Sequence, residues 1–139
     1  MTSELRVDNL KGSTTGGSIN VLGEGTSATT NLQQGLCKSW INQSSGQTTR
    51  DSFNVATLTD LGTGDYRTSF TNNFGNNDYC LSGISGTLET AMTQFWIQYE
   101  ADYTTSSVDI RTLYVSNTDG GGAGRDSDLV NGMICGDLA

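Results

Sequence analysis

Apolar and polar residues alternate with a period of two along most of this chain. Phe53, Val55 and Thr57 share one face of SFNVATLT, and Tyr66, Thr68 and Phe70 share one face of DYRTSFT. Between the two runs lies DLGTGD, a glycine-containing turn of hairpin length, so the segment predicts a β-hairpin. Tyr79 and Leu81 lead a short run after the polar loop NNFGNND. Phe95, Ile97, Tyr99 and Ala101 form one face of TQFWIQYEA, and Val108, Ile110, Thr112 and Tyr114 one face of SSVDIRTLYVS. Trp40 and Ile41 mark a strand near KSWINQ, and LVNGMIC is a last apolar strand. No long window holds a 3.6-residue period, and the nearest helical rival, residues 87–101, alternates better as a strand in its second half. About six to eight strands, spaced by turns, are therefore expected between Leu36 and Ala139. This spacing predicts an all-β fold, an antiparallel β-sandwich (jelly-roll-like) or a barrel.

The first part of the chain reads differently. Leu5, Val7 and Leu10 form one apolar run and Ile19, Val21 and Leu22 another, with the turn-and-linker stretch KGSTTGGS between them. Burying these few side chains cannot offset the entropy of ordering the backbone that carries them. Residues 1–35 are therefore expected to be an attachment or oligomerisation arm, ordered by packing on the rest of the chain, on sister copies or on a larger assembly. Its two halves, SELRVDNL and GSINVLGEG, read as two short strands. The boundary falls in NLQQG, and residues 36–139 form the expected sandwich domain. Trp96, Leu113 and Val115 place apolar groups on the second face of their strands, where a lone sandwich is mostly polar. Either an irregular core or loop cover accounts for this, or a subunit interface; the arm favours the interface.

Composition narrows the partners. Hydrophobic residues make up 34% and charged residues 16%, with 18 Gly and no Pro, a turn-rich β composition rather than charge-driven disorder. The net charge is −8 and the seven basic residues are scattered singly, so neither nucleic acid nor an anionic membrane surface is an expected partner. No apolar run has the length of a membrane-spanning helix, so no membrane insertion is expected. MTSELRVDNL lacks the basic and apolar regions of a secretory signal. Cys37, Cys80 and Cys135 are widely spaced and odd in number. They are expected to be reduced, mostly buried thiols, as in a cytoplasmically made protein, with one disulfide left open after release.

The inventory for catalysis is thin. The absence of His excludes Ser-His-Asp and Cys-His arrangements and leaves a zinc site without ligands. The stretch DGGGAGRD, residues 119–126, lacks the Lys-Ser/Thr of a phosphate loop and is expected to be a mobile surface loop. Glu89, Glu100, Asp102 and Asp109 are the carboxylates available to a glycosidase pair, but solvated surface acids are the plainer reading. Residues 72–79 and 116–128 offer oxygens to a cation without matching a calcium loop. No enzyme activity, metal or cofactor is expected. Carbohydrate recognition uses exposed rings beside amides, and Phe74 in NNFGNN and Tyr103 in ADYTTSS are the candidate glycan contacts. Trp40, Tyr66, Tyr79 and Tyr114 are expected in the core or an interface.

GLCKSWIN, RDSFNVATLTDLGTGDYRTSF and a terminal GDLA together resemble a family of bacteriophage virion proteins common in phages of marine bacteria, including cyanophages. Family members carry W-x-N, an SFNV-type strand, a D-x-G-T-G-D turn, a Y-x-x-x-F strand and a final GDLA. Here these fall at residues 40–42, 52–55, 60–65, 66–70 and 136–139. SELRVDNLKGSTTGGSI and TTNLQQGL are similar to leaders on such proteins, so the resemblance covers nearly the whole chain. Gln43 replaces an aromatic that often follows W-x-N, and Leu61 an Asn often found in the turn; both are expected at surface positions. The resemblance implies a structural protein, in many members a tail fibre, located in the virion after synthesis in the host cytoplasm. It implies a homotrimer in which Leu5, Val7, Ile19 and Val21 meet their symmetry mates. The implied partners are copies of itself and other capsid or tail proteins; the alternative reading, a host-surface glycan-binding adhesin module, rests on the loop aromatics Phe74 and Tyr103 instead. Tail fibre, head fibre and capsid decoration protein all suit it, a short appendage or decoration best.

Overall fold

The computed structural model describes residues 4–17, 19–22, 29–44, 48–87, 93–96, 103–115 and 122–139, with the backbone only of 93–96 and 115. The chain divides into two compact units, Met1–Leu36 and Cys37–Ala139.

In the first unit, strand β1 (Asn20–Leu22) pairs antiparallel with β2 (Thr29–Asn31). A single helical turn, α1 (Leu32–Gly35), follows. Asn31 caps it: its Oδ1 accepts from the backbone N–H of Gln33 at 2.9 Å and of Gln34 at 3.3 Å. Its Nδ2 donates to the carbonyl of Gly17 at 2.8 Å, and the Leu32 N–H donates to the Ile19 carbonyl at 2.8 Å. These bonds fold the ribbon back on its own lead-in. Of the two strands expected from the two half-arms, the second forms as β1 within GSINVLGEG, and the first is corrected. Residues 4–11 are not a strand, and β1 pairs instead with the Thr-rich β2, which is closer in sequence. Leu5, Val7, Leu10, Val21 and Leu22 are exposed, Leu5 at 77%, while Ile19 is half-buried.

The second unit contains nine strands among the described residues: β3 (Cys37–Ser44), β4 (Thr48–Phe53), β5 (Val55–Gly62), β6 (Asp65–Phe70), β7 (Cys80–Gly86), β8 (Thr93–Trp96), β9 (Ser107–Val115), β10 (Gly122–Gly124) and β11 (Leu129–Cys135). All the pairings are antiparallel. One sheet has the order β4-β3-β11-β7. In the other, β9 is the hub: β6 lies along its first half, β8 and β10 along its second, and β5 pairs with β6. Both sheets supply one buried cluster, Val130 and Ile134 from the first, Tyr66, Phe70, Val108 and Ile110 from the second, with Phe74 and Tyr79 between. Here the alternation is borne out, for Tyr66, Thr68 and Phe70 all point inward from β6 and Val108, Ile110 and Thr112 from β9.

The β5–β6 hairpin forms as expected, but Phe53 is not part of it. Asn54 has φ +57° and breaks SFNVATLT in two, so that Phe53 ends β4 in one sheet and Val55 opens β5 in the other. Asn tolerates this conformation because its side chain bonds locally. Its Nδ2 donates to the carbonyls of Lys38 and Asn72, at 3.0 and 3.1 Å, and its Oδ1 accepts from the Asn72 N–H at 2.7 Å. The hairpin turn needs a glycine at Gly64 (φ +76°), where a Cβ would run into the Thr112 carbonyl oxygen.

Four further expectations are corrected. Two strands escaped the pattern: β4, whose sequence TTRDSF is polar, and β10, whose residues are GAG. The stretch read as a mobile loop therefore holds strand structure over residues 122–124. Just beyond it, Arg125 N–H donates to the Thr112 carbonyl and Asp126 accepts from Gly64 N–H at 2.8 Å. Gln43 is 1% exposed rather than at the surface, because it shares the inward parity of Ser39 and Ile41, whereas Leu61 is exposed as expected. Cys80 is exposed, and Cys37 and Cys135 are half-buried. Ile97, Tyr99 and Ala101, with Glu89, Glu100 and Asp102, lie outside the described residues, as do the side chains of Phe95, Trp96 and Val115.

Candidate functional site

Alternation within β3 sends Ser39, Ile41 and Gln43 to the core and leaves Trp40 and Asn42 on the opposite face. In β11, Val130, Gly132 and Ile134 point inward, leaving Asn131 and Met133 outward. The register then assembles two rows across the outer face. Phe53, Trp40, Met133 and Ser82 lie opposite one another on β4, β3, β11 and β7, and Asp51, Asn42, Asn131 and Ile84 form the adjacent row. Phe53, Met133 and Ile84 are 52%, 49% and 61% exposed. An open groove of about 390 Å³ runs between Trp40, Asn42, Ser82, Ile84, Asn131 and Met133. The Oδ1 atoms of Asn42 and Asn131, directly opposite each other, have no hydrogen-bond partner among the described residues. A half-buried indole, two aliphatic side chains and paired amides make a surface suited to the apolar face of a sugar ring or to another apolar sheet face.

The residues singled out from sequence go elsewhere. Phe74 is 2% exposed: its ring stands 4.8 Å from Phe70 and 4.6 Å from Tyr79, centroid to centroid. The expectation that it projects from an exposed loop is corrected. The tail of the chain draws it inward, through a β-bridge to Leu138 and through bonds from Gly75 N–H to the Asp137 carbonyl and from Ala139 N–H to the Asn73 carbonyl. Tyr103 is half-buried, its ring 5.0 Å from that of Tyr79. The Tyr79 hydroxyl donates between the carbonyls of Thr104 and Ser107, at 3.1 and 3.2 Å. Burial raises the phenol pKa of Tyr79, Tyr66 and Tyr103 above the ordinary tyrosine value. None of the three lines the groove.

Asp109, the one glycosidase candidate among the described residues, accepts both Arg67 Nε and Nη2 at 2.7 Å and is held as an ion pair. Asp65 pairs with Arg111 in the same way, at 2.6 Å from Nε. No group of three or more Cys, Asp and Glu side chains able to hold a metal occurs among the described residues, and no helix among them is long and apolar enough to cross a membrane. The groove itself was missed because its residues come from three strands, and alternation shows which residues share a face of one strand but not which strands are neighbours. The readable signal was the pairing of Trp40 with Asn42, and of Asn131 with Met133, on single strand faces. No protein-family model, curated protein or solved structure matches the chain.

Proposed function

We propose that the chain is a structural subunit of a bacteriophage particle, a jelly-roll-like β-sandwich that works by packing and multivalent contact. In this reading it assembles as a homotrimer and forms a short appendage or decoration of the virion. The arm is its attachment to sister copies or to capsid or tail proteins. The observation that carries the reading is the apolar row Phe53–Trp40–Met133, flanked by Ile84, about half exposed among the described residues on a sheet face that a lone domain would make polar. The arm adds the exposed apolar side chains of Leu5, Val7, Leu10, Val21 and Leu22. The family resemblance supplies the virion. Light scattering of the full chain tests assembly: a trimer mass is expected, and a monomer mass at particle-like concentrations refutes it. Deleting residues 1–35 is expected to leave a folded protein that no longer enters particles, and full incorporation of the truncated chain refutes the anchoring role.

A second reading is favoured by the groove. Trp40 beside the Asn42 and Asn131 amides fits a host cell-surface glycan, which many weak contacts on one particle would hold by avidity. It moves the recognition site from Phe74 and Tyr103 to Trp40. Under this reading Trp40→Ser abolishes adsorption to host cells and leaves particle assembly intact; loss of assembly with Trp40→Ser favours the interface instead.

A further inference from the structure

We infer that Cys80 and Cys135 form a cross-strand redox site that closes to a disulfide when the protein meets an oxidant. The three cysteines, far apart in sequence, lie in one row across adjacent strands: Cys135 on β11 stands opposite Cys37 on β3 and opposite Cys80 on β7. Residues directly opposite in an antiparallel ladder have Cα atoms about 4.5–5.5 Å apart, inside the range of roughly 4.4–6.8 Å that a disulfide spans. Cys37 and Cys80 are two strands apart, about 9–10 Å, and cannot be joined without moving backbone.

Two features choose between the remaining pairs. The register of β11 with β7 is regular up to Cys135 and Cys80, whereas its register with β3 shifts between Ile134 and Cys135. The extra residue there is Lys38, and this bulge skews the Cys37 side of the row. The Cys37 thiol is also engaged with backbone, 3.1 Å from the Ser39 carbonyl and 3.5 Å from that of Ile134. Cys80 is exposed, and alternation places it on the same outer face as Ser82 and Ile84, just as Cys135 shares the face of Asn131 and Met133. Cys80 is therefore the thiol an oxidant reaches first, and Cys135 the one that resolves the intermediate.

With a small-molecule disulfide such as oxidised glutathione as oxidant, the chemistry balances. The Cys80 thiolate attacks one glutathione sulfur, forming a mixed disulfide and expelling glutathione thiolate. The Cys135 thiolate then attacks the Cys80 sulfur and expels the second glutathione. Two electrons pass from the protein dithiol to the oxidant, and the two thiol protons end on the two glutathione molecules. The resulting bond staples β7 to β11 beside the segment Gly136–Ala139, which holds the Phe74 loop. A chain made in a reducing compartment carries the dithiol, and the same chain in an oxidising medium carries the staple.

The test is thiol counting and intact mass on the full chain, incubated with oxidised glutathione and then desalted. The native protein and Cys37→Ser are both expected to lose the mass of two hydrogens and to retain no glutathione, with a peptide map joining Cys80 to Cys135. Cys135→Ser is expected to stop at one retained glutathione on Cys80, and reduction with dithiothreitol to restore the starting mass in every case. The inference is overturned if Cys37→Ser blocks closure, if Cys135→Ser still closes, or if oxidation of the native chain yields only covalent dimers or no product.

Discussion

Replacing Gln43 by methionine is expected to stabilise this protein. Gln43 is 1% exposed, and neither its Oε1 nor its Nε2 has a hydrogen-bond partner among the described residues. It lies on β3 between Val130 of β11 and Thr49 of β4, inside the four-stranded sheet. A buried polar atom left without a partner costs about 1–3 kcal/mol, so the two atoms together represent an upper bound of about 2–6 kcal/mol. Part of that is recovered in the native protein wherever an internal water reaches the amide. Methionine nearly matches glutamine in length and flexibility and carries no group to satisfy, so the substitution neither opens a cavity nor overpacks the site. The net gain is expected to be about 1–3 kcal/mol, a rise in Tm of roughly 5–20 °C for a unit of this size. Urea unfolding of the full chain measures it as a higher midpoint at unchanged slope. Gln43→Ala is the control, for it removes the polar atoms but also leaves a hole, and should gain less or lose. If Gln43→Met unfolds at a lower urea concentration than the native chain, the amide is satisfied and contributes to the sheet, and the reasoning fails.

Other outcomes follow from the same packing. Phe74→Ala should destabilise the protein by about 3–5 kcal/mol, read by urea unfolding, because it empties a buried site packed against the rings of Phe70 and Tyr79; a change below about 1 kcal/mol would return Phe74 to the surface. Tyr66, Tyr79 and Tyr103 have phenol pKa values raised by burial, so above about pH 10 the unfolded chain releases protons that the folded chain keeps. The stability these groups provide is present below that pH and is lost as the pH rises toward their folded-state values, most for Tyr79 and least for the partly exposed Tyr103; phenolate absorbance that develops fully near pH 10 in the folded protein would contradict this. Oxidation of Cys80 and Cys135 should raise stability by as much as about 4 kcal/mol through the long loop it closes, measured as the difference in Tm with and without dithiothreitol and absent in Cys135→Ser. Trp40→Ser removes a half-buried ring, and should lower stability by about 1–2 kcal/mol, leaving the protein folded by urea unfolding, while altering assembly or adsorption.

How far the fold was legible depended on whether a strand faces one core. β6 and β9 each bury one face, so Tyr66, Thr68, Phe70, Val108, Ile110 and Thr112 announce themselves by alternation. β4 and β10 offer no apolar pattern; TTRDSF and GAG become strands because neighbours pair with them, a tertiary effect that a local reading lacks. Phe74 misled for a related reason. Its surroundings, NNFGNN, are turn residues, and nothing local says that the last residues of the chain fold back over them. Gln43 misled because β3 buries alternate positions whatever their polarity, so a polar side chain at an inward position reads as surface until the parity of Ile41 is known.

The motifs behind the family resemblance separate on the same physical grounds. In DLGTGD, Gly64 is demanded by a positive φ and a close backbone approach, and Asp65 is spent on an ion pair with Arg111. In the terminal GDLA, a Cβ on Gly136 would stand 2.6 Å from that of Tyr79, and the backbone of Asp137, Leu138 and Ala139 clasps residues 73–75. These motifs are explained by folding alone. W-x-N is not. Ile41 belongs to the core, but Trp40 and Asn42 face away from it, half-buried, and line the outer groove. A large indole left half-exposed on the outer face, with Met133 and Phe53 in its row, is the kind of surface that a partner covers. Tests of the two proposed roles, assembly with a second copy of this chain and contact with a sugar, therefore belong first at Trp40.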